Sequence, residues 1–295
     1  MGSLEGHLLP GTIFLFFSLY HSVLISLALL RGQQLYKPPL LPREKRRLKL
    51  WQQVPLEEAI KVIACVTGIL CEFYYPPGTN RLQMIDWENP QRPFVFKDNW
   101  QHVTMFGFFL LSAVVNTVSQ KWLAQQNRKL ERAAEALAFY VVVLLMYTHI
   151  ENKSVLEIRV HVLFMIPTFL VGLASSIEVW VPHDPMIWVF KVWMGLVLST
   201  WMFQLCLVLY VPPSGQHWQG DNPMDLAFLT TFFCWHLGLG GLILAAIYGL
   251  CSLCCHHCSS WKEASDARYH LCPTDSTGEE LEKLCPESTL QDRSV

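Results

Sequence analysis

Seven long apolar stretches constrain this chain more than any other feature: Leu8–Leu30, Ala59–Tyr75, Val103–Gln120, Ala133–Ile150, Val155–Val181, Met186–Val211 and Leu226–Leu250. A helix of about 20 mostly apolar residues crosses about 30 Å of hydrocarbon, and in lipid it satisfies its own backbone polar groups. The pattern predicts an all-α polytopic membrane protein, a seven-transmembrane helix bundle. Ala59–Tyr75 is the weakest span, being short and carrying Lys61 and Glu72, and Ala133–Ile150 is also short. The connections carry turn chemistry at Pro38-Pro39 with Pro42, Pro76-Pro77-Gly78, Pro182 with Pro185, and Pro212-Pro213-Ser214-Gly215. Residues 1–258 are read as the membrane domain and 259–295 as a flexible cytosolic tail, with a short helix near Glu279–Leu284. Charged residues make up 16% of the chain, against roughly 25% in soluble domains. Hydrophobic residues reach 52%, which excludes disorder over most of the length. The 22 basic residues are offset by 24 acidic ones, which argues against a nucleic-acid partner.

Orientation follows from Lys and Arg in the short loops. One side of the seven-span arrangement holds 15 of the 22 basic residues, beginning at Arg31, taking in the run Arg43–Lys49 and ending in the tail. The other side holds 5, and Lys61 and Lys191 lie inside spans. The N-terminus is therefore expected outside and the C-terminus in the cytosol, in the secretory pathway or plasma membrane. No basic residue precedes the first span, so it reads as an anchor rather than a cleaved signal.

A titratable side chain inside a span is costly unless paired, so each is a functional-site candidate. Glu72, His102, His149, His161 and His236 fall on different spans, all in the outer half or at the midplane. His7 stands just before the first span on the same side, and His21 lies past its middle. Imidazole with carboxylate suits zinc, two facing histidines suit haem, and either set suits a proton relay. Glu157 and His161 share a helix face at i, i+4. A hydrolytic reading sets metal-activated water against a lipid ester or amide near the outer leaflet. Structural histidines that anchor at the interface or join helices are the simpler alternative. Whether the histidines converge depends on helix order, which spacing does not give.

The remaining charges read as structural: Glu178 and Lys191 can pair across the Pro182–Pro185 turn, and Glu135 reaches toward the headgroups. Trp180, Trp188, Trp193, Trp201, Tyr210 and Trp235 fit an aromatic belt or helix packing. Gly238, Gly240, Gly241 and Gly249 on span seven suit a close helix contact, within the chain or in a homo- or hetero-oligomer. The juxtamembrane Cys254, Cys255 and Cys258 are S-palmitoylation candidates, with zinc as the alternative for that run. Asn152 heads the single glycosylation sequon, in an outside loop close to the membrane.

Several short motifs recur in order: Gly6-His7 with Pro10-Gly11, Trp87-Glu88, Pro93–Asp98, Trp100-Gln101-His102 with Thr104-Met105-Phe106, Val160-His161, Pro212–Gly215 and Phe233-Cys234-Trp235-His236. In these the chain resembles the transmembrane epididymal protein group of the wider transmembrane-protein-45 family. The resemblance implies a seven-span membrane protein without an established enzymatic activity. The wider family tends to pair histidines at the start of span three and to carry His-x-His at the end of span four. This chain has Gln101-His102 and Tyr147-Thr148-His149 there, so a metal site of the family would have lost ligands here. Three functions follow as expectations: a non-enzymatic membrane component acting through partners, a metal- or haem-binding protein or metal-dependent lipid hydrolase, and a proton-coupled carrier. The carrier lacks the paired Gly/Pro-broken spans that such proteins use at the midplane.

Overall fold

The computed structural model describes residues 4–32 and 56–269, with side chains as far as residue 257. The described residues form seven helices: α1 (Leu4–Leu30), α2 (Leu56–Tyr74), α3 (Lys97–Lys121), α4 (Arg128–His149), α5 (Val155–Glu178), α6 (Pro185–Leu209) and α7 (Pro223–Tyr269). Each overlaps one of the seven apolar stretches. The basic run Arg43–Lys49, Cys258 as a side chain, and Glu279–Leu284 lie outside the described residues.

Helix starts follow local chemistry. Ser154 caps α5 in a reciprocal box with Glu157, Asn127 accepts from Leu130 N at the start of α4, and Asp184 with Pro185 opens α6. α3 begins six residues before the predicted span, at Lys97, so Asp98, Asn99, Gln101 and His102 all lie on its first two turns. At the far end α7 continues through the cysteine run to Tyr269, so the start of the segment read as a flexible tail is helical. Cys254 is exposed and Cys255 half-buried.

Five helices, α1, α3, α5, α6 and the stretch Pro223–His257 of α7, are long and apolar enough to cross a membrane. α2 and α4 fall short because charges interrupt them: Glu57, Glu58, Lys61 and Glu72 on the one, Arg128 through Glu135 on the other.

Helices α1 to α6 each pack on the next, and α1 packs along α6, which closes a ring of six. The core lies where α5 and α6 face the rest of the ring, around the fully buried Trp201, Leu196, Leu198 and Leu205. Trp188 and Trp201 are core residues, whereas Trp180 and Trp235 are exposed at 79% and 61%. α7 leans on the outside of α6: Trp193 Nε1 donates to Leu237 O at 2.9 Å, and a Cβ on Gly240 would lie 3.1 Å from Trp193 and Val197. Gly240 thus permits the approach, while Gly238 and Gly249 face open space.

Candidate functional site

The ring has two ends. The proximal end is where α1 begins; the distal end is where it finishes. At the proximal end α1, α3, α4 and α5 each deliver one imidazole to a common locus. Ring centroids of His102 and His149 are 5.1 Å apart, His149 and His161 5.6 Å, His7 and His161 5.7 Å, and His7 and His102 6.3 Å. His149 and His161 are buried, at 2% and 5% exposure.

Each imidazole has its Nδ1 held. His102 Nδ1 lies 2.9 Å from Glu72 Oε1, and Glu72 is steadied in turn by Asn99 Nδ2 at 2.7 Å. His149 Nδ1 lies 3.0 Å from Gln101 Oε1, while Gln101 Nε2 donates to Thr148 Oγ1 at 2.9 Å. His161 Nδ1 donates to the Glu157 carbonyl at 2.7 Å, and the Glu157 carboxylate caps α5 instead. Tyr210 Oη lies 3.3 Å from His7 Nδ1. Carboxylate, amide and carbonyl oxygens accept, so Nδ1 of His102, His149 and His161 carries the proton and Nε2 presents a lone pair. His161 Nε2 is buried without a hydrogen-bond partner. Below the rings lies a small cavity of about 80 Å³, walled mainly by Phe14, Met105, Phe106, Phe109 and Phe164.

Of the predicted site residues the fold therefore assembles Glu72, His102, His149 and His161. His236 does not join them. It stands across Trp201, at 5.6 Å between ring centroids, and lines a separate cavity between α6, α7 and their connection. Trp201 is fully buried and donates to Val160 O, so it closes the path from His236 to the ring interior. His7 takes the vacant place because α1 begins at Leu4, four residues before the predicted span, and so carries His7 on its first turn. Gln101 orients His149. Among the described residues no three His, Cys, Asp or Glu side chains already present their donors to one point.

The distal end is lined by charge. Lys191 pairs with Glu178 and, at 3.4 Å, with Glu135; Arg132 reaches Glu135 at 2.5 Å. Glu135 thus turns into the bundle, where a headgroup contact was expected, because Arg132 and Lys191 meet it there. On α2, Lys61 bridges Glu57 at 2.6 Å and Glu58 at 3.3 Å, and His21 of α1 meets Glu57 at 3.1 Å.

Known proteins place the chain. Residues 128–249 match a family of unknown function, DUF716. Transmembrane epididymal protein 1A of Mus musculus is 31% identical over 99% of this chain and 95% of its own length. Transmembrane epididymal protein 1 is 32% identical in Rattus norvegicus, over 88% of this chain and 83% of the relative. The chain belongs to the transmembrane epididymal protein family. It is accordingly a multi-pass integral membrane protein, as its apolar helices require. Transmembrane epididymal protein 1 of Homo sapiens is 32% identical over 78% of this chain and 82% of its own length. The DUF716 match takes in α4, α5, α6 and the apolar half of α7, hence His149 and His161. His7, Glu72 and His102 of this epididymal-type chain precede that segment.

Proposed function

We propose that this chain crosses the membrane seven times with its N-terminus outside, and that its proximal, outer-leaflet end binds one divalent transition metal, zinc by ligand type. The odd number of helices and the excess of Lys and Arg on alternate connections support that orientation. The metal reading rests on one observation: imidazoles from separate helices converge with Nδ1 engaged, and His161 Nε2 is buried without a partner. Metal-bound histidines characteristically give their other ring N–H to a carboxylate, carbonyl or water. Each nitrogen lies about 2 Å from a zinc ion, so two imidazoles sharing a tetrahedral zinc have centroids roughly 5 Å apart. His149 is near that spacing from both His102, at 5.1 Å, and His161, at 5.6 Å; sharing one ion requires the rings to turn, since among the described residues no three donors meet at a point. Zinc is preferred to haem because a macrocycle far exceeds a cavity of about 80 Å³. Bound there, zinc would act as a Lewis acid or a cross-link; Glu72 and Gln101 would orient its ligands.

Elemental analysis of purified full-length protein tests this. About one zinc per chain is expected, lost in His102→Gln with His161→Gln and retained in His236→Gln. Folded protein free of stoichiometric metal, with a melting temperature indifferent to chelator, overturns it.

A second reading has its own support, since no three donors already meet at a point. The histidines then serve as a polar clasp between helices of a non-enzymatic component that works through partners on the exposed face of α7, at Trp235 and Leu242. The clasp predicts that the paired histidine variant alters melting without any change in metal content.

A further inference from the structure

The charged distal half encloses a second cavity, of about 570 Å³, bounded by α1, α2, α3, α4, α5 and α6. That is the size of a small-molecule site, about seven times the proximal cavity. One part of its wall is apolar, with Phe17, Ile25, Phe139, Val171 and Leu198; the other carries five acidic and five basic side chains from α2, α3, α4, α5 and α6. Three polar atoms on this wall are buried without a hydrogen-bond partner: Glu58 Oε2, Asn116 Oδ1 and Glu178 Oε1. Their residues are 3%, 3% and 1% exposed.

All three unmet atoms are acceptors, and among the described residues no unmet buried donor lines the cavity. A buried group left without a partner costs free energy, so the imbalance defines what the cavity takes. Glu58 and Asn116 act together, because Asn116 Nδ2 donates to Glu58 Oε1 at 3.1 Å and so commits the amide hydrogen side while leaving both oxygens. Lys61 is already shared between Glu57 and Glu58. A ligand that completes this site brings several N–H donors on a positive head and an apolar body for the phenylalanine wall. We propose that the distal cavity binds an amphiphile with a primary ammonium head, the head on Glu58 and Asn116 and the chain along Phe17 and Phe139. A hydroxyl head offers one donor and no charge; a quaternary ammonium offers charge and no donor. The site is independent of the metal reading.

The test uses full-length protein in phosphatidylcholine nanodiscs and a photoreactive long-chain primary amine, with labelled peptides mapped by mass spectrometry. Labelling of the cavity wall is expected, competed by dodecylamine at least about tenfold better than by dodecanol or dodecyltrimethylammonium. Glu58→Gln should weaken that competition about tenfold or more. If Glu58→Gln does not fold, Ala64→Leu keeps the carboxylate and fills the cavity, with the same loss expected. Equal competition by the alcohol, equal competition by the quaternary amine, or labelling spread over the lipid-facing surface overturns the proposal. So does full binding in folded Ala64→Leu.

Discussion

The two ends of the ring solve the same problem with different atoms. Both put titratable groups inside a membrane bundle, and both leave buried acceptors unmet. At the proximal end the unmet acceptor is an imidazole nitrogen, and the nearest charges lie on the Nδ1 side of the rings: Glu72 beside His102, and Asp98, itself paired with Lys153, at 3.6 Å from His149. At the distal end the unmet acceptors are carboxylate and amide oxygens amid Lys61, Arg132 and Lys191. Nitrogen lone pairs suit a borderline transition metal, whereas oxygen acceptors beside charge suit an N–H donor. Phe14, Phe106 and Phe109 line both cavities and partition them. The comparison teaches that the partition is apolar, so each end is to be read by its own chemistry.

The largest expected effect breaks the distal end. Lys191→Ala leaves Glu178, 1% exposed, without its close counterion. Removing one partner of a buried pair costs about 3–5 kcal/mol, because the remaining charge stays buried. A steep fall in melting temperature and in membrane abundance is expected. Glu178→Gln with Lys191→Met should recover most of it, since both charges are then gone. Stability of Lys191→Ala equal to the parent would dissolve the network as a structural element.

A smaller effect probes the proximal end. His149→Leu keeps the volume but strands Gln101 Oε1, which costs about 1–3 kcal/mol. Under the metal reading the variant also loses stoichiometric zinc, whereas Lys191→Met paired with Glu178→Gln keeps it. Retention of one zinc per chain in folded His149→Leu would remove His149 from the ligand set.

What the sequence revealed divides along the same line. The helices were legible because apolar runs of membrane length have few alternatives, and even the weak α2 and α4 were placed. The distal charges of those two helices were read singly, Lys61 as a charge inside a span and Glu135 as reaching toward the headgroups. Their joint role depends on α2 and α4 facing across a ring, which no local pattern encodes. At the proximal end Glu72, His102, His149 and His161 were found by depth alone, since residues at one depth on successive helices share a layer. Depth does not give azimuth, so His236 was included although Trp201 screens it. His7 was set just outside the first span; Leu4 as the helix start was the missing signal.

The smallest effect sharpens the comparison most, because it separates stability from site chemistry. Ser154 caps α5 at the proximal end and Asn127 caps α4 at the distal end. Losing either side chain to alanine costs about 1 kcal/mol, so Ser154→Ala and Asn127→Ala should lower the melting temperature alike. Their consequences for metal differ. The first turn of α5 also carries the Glu157 carbonyl that holds His161 Nδ1, so fraying there releases the imidazole whose Nε2 is unmet. Ser154→Ala should therefore weaken zinc affinity by about 10-fold or more, in the range seen when groups that orient metal ligands are removed, while Asn127→Ala leaves affinity unchanged. Ser154→Thr retains the hydroxyl cap and should restore both properties. Equal zinc affinity in all three variants, measured by competition with a chromogenic chelator, would show that His161 is held by the packing around Phe164 and Trp201 and not by its helix start.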